Sequence, residues 1–374
     1  MSKKILIVNQ SSGYLTVDVA NTFKDHYDEV VVMYGTNRLN ERNFHPSIKI
    51  QKTVVFDRSS TINRIWTWSF CTIHLFFLLL IKFRDYHILY YTNPPMAYFN
   101  ALFFKNPFSI VVFDIYPDAL KLAGLKEGSL IYQIWKWVNK KVFNKAVQII
   151  TLSEGMKLQL MNYVNPKKIK VVPLWPGSQN LKPISKSANP FLLKYGWQDK
   201  FIVLYSGNIG LSHKLEILIE AAELLKNYPN ILFLFIGDGA KRNELLKLKK
   251  SKRLENILFL PWQEPSVLPY SLASGDIAVV ALETEAVHAS VPSKTYNYMA
   301  VGAPILGIGP PGSALDSLIH EYKIGGYFEG NNPSEITSFI ENLYHDQQVR
   351  FMYSNNSKNA GMLFNYKLSK EYLF

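Results

Sequence analysis

Short, uninterrupted apolar runs recur along the chain and alternate with longer stretches whose apolar positions repeat at helical spacing. The first run, Ile5-Leu6-Ile7-Val8, is followed at once by Asn9-Gln10-Ser11-Ser12. A continuous apolar run of this length reads as a strand buried on both faces, as in a parallel sheet. The same pattern predicts strands at 30–33, 87–91, 109–113, 148–152 and 171–173 in the first half. In the second half it predicts them at 201–205, 231–236, 257–259, 277–280 and 304–307. Strands alternating with helices are the signature of βαβ units, so the expected fold is α/β with two doubly wound parallel sheets. Pro173, Pro176, Gly177, Pro183 and Pro190 break a stretch without sustained periodicity, which predicts a linker over 174–198. It would join a first domain over 1–173 to a second over 199–355. Open α/β sheets bind ligands beyond the carboxyl ends of their strands, and two such sheets facing each other would make a central cleft holding the chemistry.

The longest uncharged run, 65–81, lies between Arg64 and Lys82 and includes Thr67, Ser69, Thr72 and His74. Seventeen residues sit at the lower limit for crossing a bilayer, so buried, interfacial and spanning helices all remain open. The run at 5–8 is too short to be the apolar region of a signal peptide. With 374 residues and 48% apolar content, the chain can build two ordinary cores. The single cysteine, Cys71, excludes an intrachain disulfide and a Cys-rich metal framework. The net charge of +12 is unevenly placed: residues 1–190 carry 24 basic against 11 acidic side chains, and the remainder 17 against 18. The excess suggests that the first half meets a polyanion, either nucleic acid or an anionic membrane surface.

Three segments could carry chemistry. The strand at 201–205 runs into Ser206-Gly207-Asn208-Ile209-Gly210, with a helical pattern starting near His213. Glycines at a strand's end let backbone N–H groups approach a phosphate; the same loop also reads as a tight βα turn that needs glycine. A second turn, Gly237-Asp238-Gly239, precedes another helix, with Asp238 expected as its cap. The third is Pro292-Ser293-Lys294-Thr295-Tyr296-Asn297-Tyr298-Met299-Ala300, a short helix stopped by Gly302. A cation in a helix's first turn opposes the macrodipole, so Lys294 costs stability unless an anion lies nearby. It is the candidate phosphate ligand, against the alternative of an exposed lysine lying along the surface.

In order and spacing these segments, with Ser274-Gly275-Asp276-Ile277 between them, resemble nucleotide-sugar transferases of glycosyltransferase family 4. In the first half, Tyr90-Tyr91-Thr92-Asn93-Pro94-Pro95 and Phe113-Asp114-Ile115-Tyr116-Pro117-Asp118 are similar to segments of bacterial O-antigen and capsule transferases, including N-acetylfucosamine transferases. The resemblance implies the GT-B architecture, two Rossmann-like domains facing a central cleft, with residues 356–374 as a helix returning to the first domain. It implies a retaining transfer from a nucleoside-diphosphate sugar, by default a UDP-sugar, to a polyprenyl-diphosphate-linked saccharide in surface polysaccharide synthesis. The enzyme would need no cofactor and work in the cytoplasm, peripherally on the inner face of the cell membrane.

The chain departs from that family at four ligand positions. Its usual Glu-x7-Glu pair falls on Ala289 and Asn297, and its usual Arg and Lys fall on Asn208 and His213. Lys294, Ser293 and the backbone of Gly207, Asn208 and Gly210 are then expected to take the diphosphate, with Gly237 and Gly239 beside them. Asn297 would hydrogen-bond ribose or sugar. Gly13 would let the first domain approach the donor, Glu283 and Glu285 would touch the sugar, and the backbone around Trp262 would meet the nucleobase. Asp114 is the expected catalytic contact to the acceptor, unless it or Asp118 only caps a helix. No Asp-x-Asp triplet occurs, so transfer without a metal ion is expected. Trp135, Lys136, Trp137, Lys140, Lys141 and Lys145 read as a membrane-facing surface. Two alternatives remain: another GT-B enzyme such as an epimerase or phosphorylase, and a noncatalytic nucleic-acid-binding protein, for which no recognisable motif is present.

Overall fold

The computed structural model describes residues 3–38, 42–210, 213–282 and 291–374. It divides into two compact units, Met1–Pro173 with Tyr366–Phe374, and Leu174–Asn365.

In unit 1 the strands are β1 (Lys4–Val8), β2 (Ser11–Gly13), β3 (Glu29–Tyr34), β4 (Thr36–Arg38), β5 (Lys49–Lys52), β6 (His87–Tyr91), β7 (Phe108–Val112), β8 (Ile149–Thr151) and β9 (Ile169–Val171). Seven of them form one parallel sheet in the order β5-β3-β1-β6-β7-β8-β9, and β2 pairs with β4 beside it. The apolar runs become the central strands because their side chains are buried on both faces. Strands β2, β4 and β5 were not expected. The four residues of β5, Lys-Ile-Gln-Lys, lie at the sheet's edge, largely exposed, so no apolar run marks them. The helices are α1 (Tyr14–Phe23), α2 (Thr61–Ile81), α3 (Leu130–Lys145) and α4 (Glu154–Leu160).

Helix α2 accounts for the long uncharged run. Ser60 caps it by accepting a hydrogen bond from the Asn63 N–H, and Trp68, Cys71, Leu75 and Leu79 bury one stripe at helical spacing. The helix is long and apolar enough to cross a membrane, yet it packs along that stripe on unit 1 and is 22% buried over its most apolar window. Ile62, Trp66, Phe70, Ile73, Phe77 and Ile81 are exposed.

Unit 2 contains β10 (Phe201–Ser206), β11 (Ile231–Ile236), β12 (Ile257–Leu260), β13 (Ile277–Ala281), β14 (Ile305–Ile308) and β15 (Gly325–Phe328). They form a parallel sheet in the order β12-β11-β10-β13-β14-β15. Its helices are α5 (Pro190–Tyr195), α6 (Glu216–Leu224), α7 (Arg242–Ser251), α8 (Leu268–Leu272), α9 (Ser293–Ala300), α10 (Ala314–Tyr322), α11 (Pro333–His345) and α12 (Gln347–Leu363). Alternate residues Phe201, Val203 and Tyr205 of β10 join Phe233 and Phe235 of β11 and Leu218 and Ala222 of α6 in the core. Edge strand β15 carries two glycines and no apolar run, which hid it.

Two boundaries differ from expectation. The segment expected as a linker, 174–198, is packed into unit 2: Trp175 is fully buried, Asn189 donates to the Tyr270 carbonyl (2.9 Å) and Lys186 pairs with Asp276 (2.5 Å). At the other end α12 stays with unit 2, and only Tyr366–Phe374 belongs to unit 1, rather than a helix over 356–374. There Ser369 meets Thr22 through their hydroxyls (2.5 Å), Lys170 pairs with Glu371 (2.6 Å) and Tyr372 is fully buried.

Candidate active site

The chain leaves β10 for β11 and β12 on one side and returns to β13 on the other, so the sheet's switch point lies between β10 and β13. Pairing between these two strands is registered only at Val203 with Ile277 and Leu204 with Ala278. Beyond it, the Ser206 N–H donates to the hydroxyl of Tyr298 on α9 (2.9 Å), and that hydroxyl donates back to the Ser206 carbonyl (3.3 Å). A buried side chain thus satisfies backbone groups that a strand would otherwise satisfy. Helix α9 is wedged against the end of β10 by this contact.

Gly207 follows with φ +152°, and a Cβ built on it would stand 3.0 Å from Lys294 Nζ. Gly237, with φ +136°, could not carry a side chain: its Cβ would fall 2.1 Å from the Gly207 carbonyl oxygen. The two turns therefore run in direct contact, and Gly239 lies equally close to the backbone of Ile209. Gly207 N–H donates to Ile236 (2.9 Å), Ile209 N–H to Asp238 (2.9 Å) and Gly237 N–H to Leu260 (3.0 Å), which locks the turns to the ends of β11 and β12.

Lys294 stands in the first turn of α9, which has no acidic residue and no side-chain cap. Its Nζ lies 4.2 Å from the centre of the Tyr205 ring. Among the described residues no carboxylate pairs with it. Burial pushes its pKa down to about 8, although the residue as a whole is partly exposed. An enclosed ammonium with no counter-ion among the described residues, at a helix N-terminus, beside a glycine at the switch point, is arranged to receive an anion.

Of the other expected residues, Ser293 is exposed at the start of α9 and Asn208 is exposed in the first turn, with its amide and the His213 ring beside Gly210. The Asn297 side-chain oxygen accepts from the Gly177 N–H (3.1 Å), so it fixes a nearby loop. Trp262 is 56% exposed just beyond β12. Asp238 does not cap α7: its carboxylate accepts from Gly239 (2.8 Å), and the cap position is Lys241. Glu283, Glu285 and Ala289 lie outside the described residues. The sequence reading missed Tyr205 and Tyr298. A tyrosine at a fully buried position needs a partner for its hydroxyl, which was the available signal.

In unit 1 the switch point lies between β1 and β6. Gly13 caps α1 there in extended conformation. A cavity of about 240 Å³ opens beyond β6 and β7, lined by Phe56, Arg58, Arg64, Trp68, Thr92, Asn93, Asp114 and Tyr116. The Thr92 hydroxyl accepts from the N–H groups of Phe113 (3.0 Å) and Asp114 (3.3 Å), which sets the carboxylate's position. Solvent reaches Asp114, but its carboxyl is enclosed enough for burial to raise its pKa, against a downward pull from Arg58. Asp114 caps no helix. Asp118 does not either: it accepts from Tyr132 (2.6 Å), Tyr163 and Lys121, and although burial pushes its pKa up, those partners hold it below the ordinary value. In α3, Trp135 is partly buried and stacked on Tyr116, so of the expected surface tryptophans only Trp137 is exposed, with Lys141 Nζ 3.9 Å above its ring.

Residues 194–360, all within unit 2, match the family model of glycosyl transferases group 1. The protein named probable glycosyltransferase WbjE of Pseudomonas aeruginosa is 27% identical over 80% of this chain and 76% of its own length. The colanic acid biosynthesis glycosyl transferase WcaI of Escherichia coli is 40% identical over 49% of this chain and 46% of its own. Among solved structures, HepE of Anabaena in complex with UDP and glucose superposes with a TM-score of 0.69 at 16% identity, covering 99% of this chain and 98% of its own. Sucrose-phosphate synthase of Thermosynechococcus elongatus gives 0.74 at 13% identity, covering 99% and 97%. The chain therefore has the GT-B fold, carries a glycosyl transferases group 1 domain over residues 194–360, and is a glycosyltransferase.

Proposed function

We propose that the protein moves a sugar from a UDP-sugar to a lipid-linked saccharide in bacterial surface-polysaccharide synthesis, with retention at the anomeric carbon and without a metal ion, as a family 4 enzyme similar to the N-acetylfucosamine transferases. The observation that carries this reading is the enclosed Lys294 ammonium beside Gly207. Unit 2 takes the donor: Lys294 and backbone N–H groups at the start of α9 hold the diphosphate, and the glycine at 207 leaves room for it. When the glycosidic bond breaks, charge grows on the leaving phosphate, where a preorganised ammonium and backbone dipoles stabilise it without reorganisation. They supply the positive charge that a metal ion would otherwise bring. Unit 1 takes the acceptor, whose hydroxyl donates to the Asp114 carboxylate; that carboxylate takes the proton as the hydroxyl oxygen bonds to the anomeric carbon and the nucleoside diphosphate departs.

Two further findings support parts of this reading. The HepE structures hold UDP and UDP-glucose, and WcaI is named for colanic acid synthesis. The exposed apolar face of α2 and the basic excess of residues 1–190 suit a cytoplasmic protein held peripherally on the anionic inner leaflet. The test is incubation of UDP-sugars with a prenyl-diphosphate-linked saccharide, following UDP release and the anomeric signal of the product by NMR, with and without EDTA. Acceptor-dependent UDP release that survives EDTA and leaves the anomeric configuration unchanged is expected, with at least a 100-fold loss for Asp114→Asn. Epimerised or hydrolysed donor without any transfer would overturn the reading.

A further inference from the structure

The cavity of unit 1 is built of groups that a small neutral ligand would not require. Arg58 and Arg64 bring two guanidinium groups to it, against the single carboxylate of Asp114. Phe56, Trp68 and Tyr116 supply aromatic walls, with Phe56 stacked on Trp68 at 5.9 Å and Tyr116 edge-on to Trp68 at 5.9 Å. Three buried polar atoms on its lining residues have no hydrogen-bond partner: Arg64 Nε, Trp68 Nε1 and Asn93 Oδ1. Trp68 is only 7% exposed, so water does not freely serve its indole. Buried donors left unmet beside a cavity are costly. Two of the three are donors, and two guanidinium forks match the oxygens of a phosphate far better than those of a neutral sugar.

We infer that this cavity is an anion subsite that takes the phosphate or diphosphate ester of a lipid-linked acceptor, held by Arg58 and Arg64. The inference rests on the reading of unit 1 as the acceptor side and gives that side a charged anchor. A volume of about 240 Å³ admits one charged group or one sugar ring rather than a whole acceptor. The lipid source follows from α2. Arg64 lies in the helix's first turn, and the same helix carries exposed Ile62, Trp66, Phe70, Ile73 and Phe77. A helix with a charged first turn at a cavity and an apolar outer face suits a ligand that is anionic at one end and apolar at the other. Asp114, in the same cavity, then meets a hydroxyl close to the anchored phosphate.

Calorimetric titration of the full chain with farnesyl diphosphate, inorganic pyrophosphate, farnesol and UDP tests this, using the wild type, Arg58→Gln/Arg64→Gln, Arg64→Lys and Lys294→Ala. The expected result is at least a tenfold loss of farnesyl diphosphate affinity in the double variant, an intermediate loss in Arg64→Lys, and unchanged UDP binding in both. Lys294→Ala is expected to show the reverse pattern. Unchanged farnesyl diphosphate binding in the double variant would overturn the inference. Pyrophosphate binding as tight as farnesyl diphosphate would overturn the lipid source, since the site would then serve free phosphate. UDP binding that survives Lys294→Ala would count against the donor assignment alone. A thermal melt of the double variant that superposes on that of the wild type shows that unit 1, which carries both substitutions, is folded.

Discussion

Replacing Lys294 by methionine keeps the length of the side chain and removes its charge, so it isolates the ammonium's part in donor binding. A phosphate oxygen seated over Gly207 would lie about 3–4 Å from Nζ, where one pair of unit charges attracts by ~4 kcal/mol at an effective dielectric of 20. Part of that is spent on ordering the side chain and drying the phosphate, which leaves about 2–4 kcal/mol, or a loss of UDP affinity of roughly 30- to 1,000-fold. The depressed pKa adds a signature that a packing defect would not give. With a pKa of about 8, the free protein carries the charge in about nine-tenths of molecules at pH 7 and about one-tenth at pH 9. Bound phosphate favours the charged form and raises that pKa, so wild-type affinity should fall about tenfold from pH 7 to pH 9, with proton uptake on binding. The variant should be flat across that range. Stability should move the other way. The folded pKa lies below the ordinary 10.5, so the unfolded chain holds more protons between about 8 and 10.5, and stability rises with pH across that window. Below it the enclosed charge is a standing cost, and Lys294→Met should be more stable at pH 7 by about 1–3 kcal/mol, at roughly 2–4 °C in Tm for each. Calorimetry of UDP binding at pH 7, 8 and 9 in buffers of different ionisation enthalpy, with thermal melts of both proteins, measures all of this. A variant within threefold of wild type at pH 7, or a wild-type affinity that does not change with pH, would refute the reasoning.

Other substitutions probe the frame around that charge. Gly237→Ala forces a Cβ onto the Gly207 carbonyl and should destabilise unit 2 by about 2–5 kcal/mol, seen as a lower Tm and weaker UDP binding. Tyr298→Phe leaves the Ser206 N–H and carbonyl without their partner and should cost about 1–3 kcal/mol, again measured by melting; an unchanged Tm would show that the strand end finds another partner. Trp66→Glu combined with Phe70→Glu changes two exposed residues of α2, so it should leave Tm within about 1 °C while abolishing flotation with vesicles containing anionic lipid. Flotation equal to that of wild type would rule out the α2 face as the membrane contact.

Much of the frame was legible because its cause is local. Central strands such as β1, β10 and β11 are buried on both faces, so they must be apolar throughout, and a one-dimensional reading finds them. The edge strands β5 and β15 answer to one neighbour and to solvent, so their composition carries no such mark. Lys294 was legible for a related reason: a cation in a helix's first turn breaks a local electrostatic rule, and rules are broken where a ligand restores them. Tyr298 and the cavity of Arg58, Arg64 and Asn93 were not, because their meaning depends on which distant segments the topology brings together. Tyr298 serves Ser206, 92 residues earlier, and Arg64 shares a cavity with Asp114 from beyond a different strand. The packed segment 174–198 misled for the opposite reason: its prolines mark irregular backbone, and irregular backbone can be as well anchored as a helix.

Unit 1 is discontinuous in the sequence, since Tyr366–Phe374 completes it after roughly 190 intervening residues of unit 2. In topological terms unit 2 is an insertion. On a ribosome moving at about 5–20 residues per second, the N-terminal sheet is therefore finished some 10–40 s before the segment that buries Tyr372 and supplies Ser369 to Thr22 has been made. During that interval the nascent chain shows both an unclosed core and the apolar side of α2. The early strands thus stand open to chaperones for those tens of seconds, because the segment that closes their core is the last to be made.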